Sequence, residues 1–256
     1  TRRSIHRSGK RSVALFAQTP ANDLGYTDTP LLPNSTYHVH DPRRPYPAVV
    51  TPGSQVGEAP SDAIVLFDGS DLSRWSPTKQ AWKVENGYVE VIPNSGDLRT
   101  REIFGDVQLH VEWAAPAEVR GSSQNRGNSG IFLASTGKGD AGYELQIVDS
   151  FNNKTYVNGQ AASIYKQGAP LANAMTKDGE WQGYDVVWTA PRFNDDGSVK
   201  SPAFVTAFHN GVLVQNHFQL KGETLYIGTP SYTKFDGAPI KLQAHGDPSP
   251  PISFRN

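Results

Sequence analysis

Alternation of apolar and polar residues with a period of two most restricts how this 256-residue chain can fold. The pattern runs through residues 107–113, 143–147 and 240–245. It is typical of β-strands that bury one face of a sheet and leave the other polar. Asn210-Gly211 lies between AFVTAFH and VLVQN, and this dipeptide favours the type I′ turn of a hairpin. These features together predict antiparallel β-structure.

The composition extends this prediction to the whole body of the chain. Only 37% of the residues are hydrophobic, while there are 24 glycines and 19 prolines. This balance favours many short strands joined by turns over a helical bundle. Further strands are predicted at residues 63–67, 82–91, 130–134, 183–189 and 224–227. About ten such strands predict an all-β, two-sheet antiparallel jelly-roll sandwich.

The chain divides into three parts by composition. Residues 1–18 are basic and are predicted to be a flexible tail, in which the apolar stretch 13–17 is at most a remnant of an export signal. Residues 19–62 are rich in proline, which removes backbone donors and disfavours central strands, so we expect an extended arm packed on the body. Residues 63–256 form the strand-rich body.

Charge and cysteine content exclude several classes of function. The net charge is −1 and the pI is about 6.6, which argues against binding to nucleic acid or to an anionic membrane. The chain has no cysteine, so disulfides, thiolate zinc sites and cysteine nucleophiles are excluded. No apolar run approaches the ~20 residues of a membrane span. No cofactor or metal is assigned, although a bound calcium or other divalent ion stays open.

The polar positions of the three alternating segments carry an unusual set of side chains. They are glutamate, glutamine and histidine: His110, Glu112, Glu144, Gln146, Gln243 and His245. One interpretation is an ordinary solvated face of an antiparallel sheet. If the three strands lie in one sheet, the alternative is the floor of a sugar-binding groove, where amides and carboxylates bind hydroxyl groups.

Two of these carboxylates and one histidine are the candidates for catalysis. Glu112 and Glu144 are expected on neighbouring strands, and glycoside cleavage usually uses two carboxyl groups about 5–10 Å apart. His245 is the candidate for a side chain that titrates near neutrality. Its alternative role is a hydrogen-bonded histidine at a strand end.

Several blocks in the body resemble a known family. They are VLFDGSDLSRW (65–75), RGNSGIFL (126–133), GYELQIVDS (142–150), SIY (163–165), GEWQGYDVVW (179–188), FHNGV (208–212) and IKLQAHGDPSPPISFRN (240–256). In this order they resemble the 3-keto-disaccharide hydrolase domain family over about residues 63–256. The resemblance implies a concanavalin-like jelly roll related to lectins and glucanases. It also implies a secreted or periplasmic bacterial protein that acts on sugars oxidised at C3.

The resemblance implies particular roles for the candidate residues. A 3-keto group acidifies the proton on C2, so a base can remove it and the C1 substituent can leave. Glu144 or His245 would be the base, with Glu112 as a further acidic group, and Arg255 or a metal ion would stabilise the enolate. The implied substrate-binding residues are Arg126, Asn128, Gln146, Asp149, Tyr165, Gln243 and Arg255. In this setting RGNSGIFL is interpreted as the lip of a site and not as a simple polar turn.

Two other classes of function stay open at this point. The same fold hosts non-catalytic carbohydrate-binding modules, and fold does not fix function. A structural or cell-surface interaction protein is the third class, with the arm docking on a partner or on a second copy of the chain. The sequence stops at Phe254-Arg255-Asn256, whereas the resembled family continues for a few residues, so an incomplete last strand is expected.

Overall fold

The structure, a computed structural model, describes residues 24–55, 57–118, 120–246 and 251–256. The predicted basic tail, residues 1–18, lies outside these ranges. The chain divides into two compact units at Val50 and Thr51, and each is described by itself.

The first unit contains one tight chain reversal within its described residues. Leu31 and His38 form an isolated antiparallel bridge, and the Leu32 amide donates to the Tyr37 carbonyl at 2.9 Å. The buried carboxylate of Asp41 accepts two hydrogen bonds from the Arg43 guanidinium, at 2.9 and 2.6 Å. This sparse pairing agrees with a proline-rich arm, while its packing on the body stays a prediction.

The second unit is built from short strands and two single 3₁₀ turns. Its thirteen strands, within the described residues, are β1 (Lys83–Glu85), β2 (Tyr88–Glu90), β3 (Leu98–Arg99), β4 (Val107–Ala114), β5 (Ser129–Ala134), β6 (Tyr143–Ile147), β7 (Gln182–Thr189), β8 (Arg192–Phe193), β9 (Val199–Ser201), β10 (Phe204–His209), β11 (Val212–Gln219), β12 (Lys241–Leu242) and β13 (Ser253–Arg255). The 3₁₀ turns span Ser123–Asn125 and Val157–Gly159.

The strands form two main antiparallel sheets. A seven-stranded sheet has the order β1-β2-β13-β4-β7-β10-β11, and a four-stranded sheet has the order β3-β12-β5-β6. Strands β8 and β9 form a separate ribbon. The all-β sandwich prediction is confirmed.

One hydrophobic core joins the inner faces of the two sheets. Trp113, Tyr184 and Trp188 from the seven-stranded sheet belong to the same buried cluster as Ile131 and Leu145 from the four-stranded sheet. The Tyr184 hydroxyl crosses between the sheets and donates to the carbonyl of Gln146 at 2.9 Å. Side chains that alternate with these residues therefore point to the outer faces of the sandwich.

Most of the predicted strands are present, with four differences. The predicted strand 240–245 is shorter, because only Lys241 and Leu242 pair with both neighbouring strands. The predicted strand 82–91 is a hairpin, because Asn86 and Gly87 take positive φ angles of 51° and 79° and reverse the chain. Residues 63–67 form no strand, because their polar backbone groups bond locally, as in Ala63 N–H to Pro60 O at 3.0 Å. Residues 224–227 form none either, since Thr224 and Tyr226 bond to the loop at 140–142.

The condition for one shared groove, that the three alternating segments lie in one sheet, is not met. Strand β4 lies in the seven-stranded sheet, whereas β6 and β12 lie in the four-stranded sheet. The alternation determines which residues of a strand face the core, but it carries no information about which sheet the strand joins. His110 and Glu112 are consequently separated from Glu144, Gln146 and Gln243.

Candidate active site on the four-stranded sheet

A row of four side chains crosses the outer face of the four-stranded sheet. Glu144 of β6 is paired with Phe132 of β5, Phe132 with Lys241 of β12, and Lys241 with Arg99 of β3. Their neighbours along the strands belong to the core, so this row points away from it. The row places a carboxyl group and two cations around one aromatic ring.

A second row lies beside the first along the strands. Gly130 is paired with Gln146, and the Gln243 amide donates to the Gly130 carbonyl at 3.0 Å. Strand β12 ends at Leu242, and the Gln243–Gly130 bond extends its pairing by one residue, so Gln243 lies on the same outer face as Lys241. Glu144, Gln146 and Gln243 therefore share one face. His245 lies beyond the strand, after Ala244, which packs against the core.

Gly130 provides the space in which the Glu144 carboxyl group lies. A Cβ atom at position 130 would overlap Glu144 Oε1 and approach its Cγ at 3.0 Å. Any side chain at this position would have to displace the carboxyl group. Gly130, the second glycine of RGNSGIFL, is therefore needed to leave room for the Glu144 side chain on the neighbouring strand. Its own backbone has the ordinary conformation of a strand.

Burial controls the protonation of Glu144. The residue is 6% exposed. Burial raises the pKa of its carboxyl group, Lys241 opposes the rise, and the carboxylates of Asp140 and Asp97 add to it, which brings the pKa to about 8. A carboxyl group with this pKa is largely protonated at neutral pH and can lose or regain a proton there.

Lys241 is fully buried and is the cation that acts on Glu144. Its Nζ donates to the Gly139 carbonyl at 2.5 Å, lies 3.2 Å from Asp97 Oδ2, and stands 3.4 Å from the centre of the Phe132 ring. Burial lowers the pKa of Lys241, and Asp97 opposes this shift. Lys241 is not among the residues predicted from sequence, although the period-two pattern puts it at a polar position with Gln243 and His245.

The amide side chains near Glu144 have distinct surroundings. Gln146 is buried, and its Nε2 donates to Asn128 Oδ1 at 2.8 Å and to the Ile147 carbonyl at 2.9 Å. Gln146 therefore orients Asn128. Gln243 Oε1 is a buried acceptor without a hydrogen-bond partner among the described residues, and a buried oxygen of this kind is suited to a hydroxyl donor from a ligand.

Arg126 and Asp149 are bound to each other. Arg126 Nε donates to Asp149 Oδ2 at 2.5 Å, and its Nη2 donates to Asp178 Oδ1 at 2.7 Å and to the Phe151 carbonyl at 3.1 Å. Burial raises the pKa of Asp149, with a further rise from its hydrogen bond to Asp178. These contacts join the loop before β5 to the loop after β6. Both residues therefore stabilise the end of the β5–β6 pair at which these loops meet.

Tyr165 lies at the edge of β6, close to Glu144. Its amide donates to the Glu144 carbonyl at 3.4 Å, and its hydroxyl is 3.1 Å from the Tyr156 hydroxyl. Burial raises the pKa of Tyr165, and the hydrogen bond to Tyr156 and the charge of Glu144 raise it further. The structure thus brings Tyr165 to the same region as Glu144.

Glu112 and Arg255 lie elsewhere, on the outer face of the seven-stranded sheet. Arg255 Nε donates to Glu112 Oε2 at 2.5 Å, and the Arg255 guanidinium stands 4.2 Å from the centre of the Trp181 ring. His110 Nδ1 is 2.7 Å from Asp185 Oδ1 on the same face. The expectation that Glu112 and Glu144 occupy neighbouring strands is wrong, because the core separates their sheets.

A cavity of about 1150 Å³ borders the Glu112 face, lined in part by residues 57–68. Burial acts to raise the pKa of Glu112, but the hydrogen bond and charge of Arg255 outweigh it and hold the pKa below its ordinary value. The carboxylate of Glu112 is thus ionised, and the guanidinium group of Arg255 balances its charge. Its environment suits an ion pair, whereas that of Glu144 suits proton transfer.

The described ranges contain neither a metal-ligand cluster nor a membrane-spanning helix. Within them, no three histidine, aspartate or glutamate side chains are grouped as ligands of one metal ion. None of their helical turns is long and apolar enough to cross a bilayer.

Comparison with known proteins gives the family. Residues 62–256 match the model of the 3-keto-alpha-glucoside-1,2-lyase-like domain. The chain belongs to this family. No curated protein matches the chain. Its fold and family make it a glycosyl hydrolase-like, carbohydrate-active protein.

Solved structures from Parabacteroides distasonis ATCC 8503 support the same assignment. A "putative glycosyl hydrolase" is 52% identical, with 83% of this chain and 91% of that chain covered and a TM-score of 0.78. Two others with this description are 21% and 19% identical, with TM-scores of 0.55 and 0.53. They cover 75% and 74% of this chain and 90% and 94% of their own, and they show the fold alone.

The buried carboxyl group of Glu144 predicts a specific pH dependence of stability. Its pKa is about 8 in the folded protein against an ordinary value of 4.5, so the folded state holds an extra proton between these pH values. The protonated carboxyl group of Glu144 contributes its full stabilisation below about pH 4.5. The free energy of unfolding then falls by about 1.4 kcal/mol per pH unit as the pH rises toward 8.

Urea unfolding of the wild type and of Glu144→Gln from pH 5 to pH 8 checks this prediction. The free energy of unfolding of the wild type, relative to the variant, should fall steadily across the range. The other titrating groups are present in both proteins and cancel to first order. A difference that stays constant with pH would show that Glu144 ionises normally in the folded protein.

Proposed function

We propose that the protein cleaves the C1–O bond of 3-keto-glycosides by elimination at the outer face of the four-stranded sheet. The observation that carries the proposal is Glu144, a carboxyl group with a pKa near 8 that is buried beside Lys241 in a domain of the 3-keto-alpha-glucoside-1,2-lyase-like family. A glycoside oxidised at C3 needs only proton transfers to lose its C1 substituent.

The reaction has two proton-transfer steps before water enters. A base removes the proton on C2, and the electrons of that C–H bond form an enolate with the C3 carbonyl. The enolate then expels the C1 oxygen, which takes a proton from an acid, and a C1=C2 double bond remains. Addition of water across this double bond gives the free 3-keto sugar and completes a net hydrolysis.

Glu144 and His245 are suited to opposite parts of this reaction. At neutral pH the carboxyl group of Glu144 is largely protonated, so it serves as the acid that protonates the departing oxygen. His245 follows β12 by three residues and serves in this proposal as the base for the C2 proton. The protonation of Glu144 thus favours His245 over Glu144 as the base.

Lys241 and the amide groups supply electrostatic support and orientation. The Lys241 ammonium group brings positive charge to a buried region in which negative charge develops on the C3 oxygen. It takes the role that the sequence suggested for Arg255, which the Glu112 ion pair holds on the other sheet. Gln243 Oε1 and the Asn128 side chain are placed to bind sugar hydroxyl groups.

A lectin-like module and a structural interaction protein are the competing functions. A shallow groove without a buried proton-transfer group would favour binding alone. The buried grouping of Glu144, Lys241 and Asp97 favours chemistry, because burial of an ionisable group costs stability that simple binding does not require. We further propose that the protein is exported, as its cysteine-free composition allows.

Assays on methyl 3-keto-glucoside and its unoxidised parent, with Glu144→Gln, His245→Ala and Glu112→Gln, test the proposed site. Wild type should convert only the keto sugar. Loss of the acid or of the base should lower kcat by about 10²- to 10⁴-fold. Glu112→Gln should retain activity, because Glu112 lies on the opposite face.

Three outcomes would contradict parts of this account. Full activity of both Glu144→Gln and His245→Ala would exclude the four-stranded face as the site. A large loss in Glu112→Gln alone would move the site to the seven-stranded sheet. Binding of the sugar by the wild type without any turnover would favour the lectin-like function.

The influence of Lys241 on Glu144 predicts a shift in the pH profile. Lys241 holds the pKa of Glu144 lower than burial alone would. In Lys241→Met this opposing charge is lost, so the alkaline limb of the profile of kcat/KM should move to higher pH. The added substitution Asp97→Asn removes a carboxylate that raises the pKa of Glu144, and it should move the limb back toward lower pH. An unchanged limb in both variants would show that Lys241 does not tune the acid.

A further inference from the structure

Three tyrosines lie close together at the edge of β6, the strand that carries Glu144. Tyr165 follows the segment 162–164, which bonds to the edge of β6, and its amide donates to the Glu144 carbonyl at 3.4 Å. Tyr156 contacts Tyr165 with ring centroids 6.5 Å apart, and Lys166 joins Tyr165 to the loop of Tyr226 by donating to the Gly228 carbonyl. The strand that carries the proposed acid is thus bordered at this edge by aromatic residues.

The Tyr156 ring is held in place from two sides. A Cβ atom at Gly159 would overlap the Tyr156 ring, so this ring lies directly on the backbone of the 3₁₀ turn Val157–Gly159. Its hydroxyl is fixed by Tyr165 at 3.1 Å. Even so, Tyr156 stays 48% exposed, which leaves ring surface available to a ligand.

The loop that carries Tyr226 is anchored to the same region. The Tyr226 amide donates to Asp140 Oδ2 at 2.8 Å, and Lys166 Nζ donates to the Gly228 carbonyl at 3.0 Å. Asp140 belongs to the loop that leads into β6, so the anchor lies at the start of the strand that carries the acid. Tyr226 itself is 66% exposed, although its backbone is fixed at both of these points.

We propose that Tyr156, Tyr165 and Tyr226 form the leaving-group subsite, and that it takes leaving groups whose ring face can stack on an aromatic ring: an aryl group or a second pyranose. The inference rests on the proposed function, because it takes Glu144 as the acid. The departing oxygen must lie next to that acid, so the group attached to it extends from Glu144 toward the tyrosines.

The chemistry of the two regions supports this division of the substrate. The 3-keto ring needs hydroxyl-binding groups and a base. In the proposed function, the side chains of Gln243 and Asn128 bind the hydroxyl groups and His245 is the base. The tyrosines offer ring faces to solvent, and aromatic faces bind aryl rings and the C–H faces of sugars by stacking. Their position at the solvent edge gives the leaving group a path out.

Tyr226→Ala and Tyr156→Ala, compared on three substrates, test the subsite. The substrates are the 3-keto derivatives of 4-nitrophenyl glucoside, of a glucose disaccharide and of methyl glucoside. Each variant should lose about tenfold in kcat/KM on the first two and change little on the methyl substrate, which has no ring to stack. Phe208→Ala is the matched control, since Phe208 is an exposed aromatic residue of β10 that faces away from the core on the seven-stranded sheet.

Because each variant is compared with the wild type on the same substrate, differences in leaving-group reactivity cancel. A loss on the aryl substrate alone would assign the subsite to aryl groups, and a loss on the disaccharide alone would assign it to a sugar. Equal losses on all three substrates, or no loss on any, would overturn the subsite while the proposed function stands.

A binding measurement separates this failure from that of the proposed function. Calorimetry with the unoxidised aryl and methyl glucosides should show tighter binding of the aryl compound by the wild type and no such preference in Tyr226→Ala. Absence of turnover of every 3-keto substrate by the wild type would overturn the proposed function. An aryl preference that survives in Tyr226→Ala would overturn the subsite.

Discussion

The buried carboxyl group of Glu144 is the constraint on which the site depends. It lies over Gly130, a position at which any side chain would displace it, and across Phe132 from a lysine without solvent exposure. Removal from water moves its pKa to about 8, into the range in which a group can exchange protons at neutral pH. The bonds of Lys241 to Asp97 and Gly139 keep a charge beside it that would otherwise be costly to bury.

The two outer faces of the sandwich have different electrostatic characters. On the seven-stranded sheet, Glu112 and Arg255 neutralise each other, and the pKa of the carboxyl group is lowered. On the four-stranded sheet, burial outweighs the nearby cation, and the pKa of Glu144 is raised. Both faces carry glutamate next to a positive charge. The depth of burial therefore distinguishes an ion pair from a candidate acid.

Much of the fold was predictable from sequence, because a period of two marks the two faces of a strand directly. Strand β6 matches its predicted bounds, and the Asn210-Gly211 turn has the positive φ angles that its residues favour. The assignment of strands to sheets was not predictable, since pairing across the sandwich leaves no local pattern. Glu112 was therefore grouped with Glu144. The burial of Lys241 was not predictable either, because lysine on an outer face is usually solvated. Only its neighbours in the fold remove Lys241 from solvent.

The position of a bound sugar tests the central claim most directly. A crystal structure of Glu144→Gln with a 3-keto-glucoside should show the sugar at the outer face of the four-stranded sheet, with Gln243 in hydrogen-bond contact and the C1 oxygen directed to residue 144. A sugar bound instead beside Glu112 and Arg255, on the seven-stranded sheet, would contradict the account.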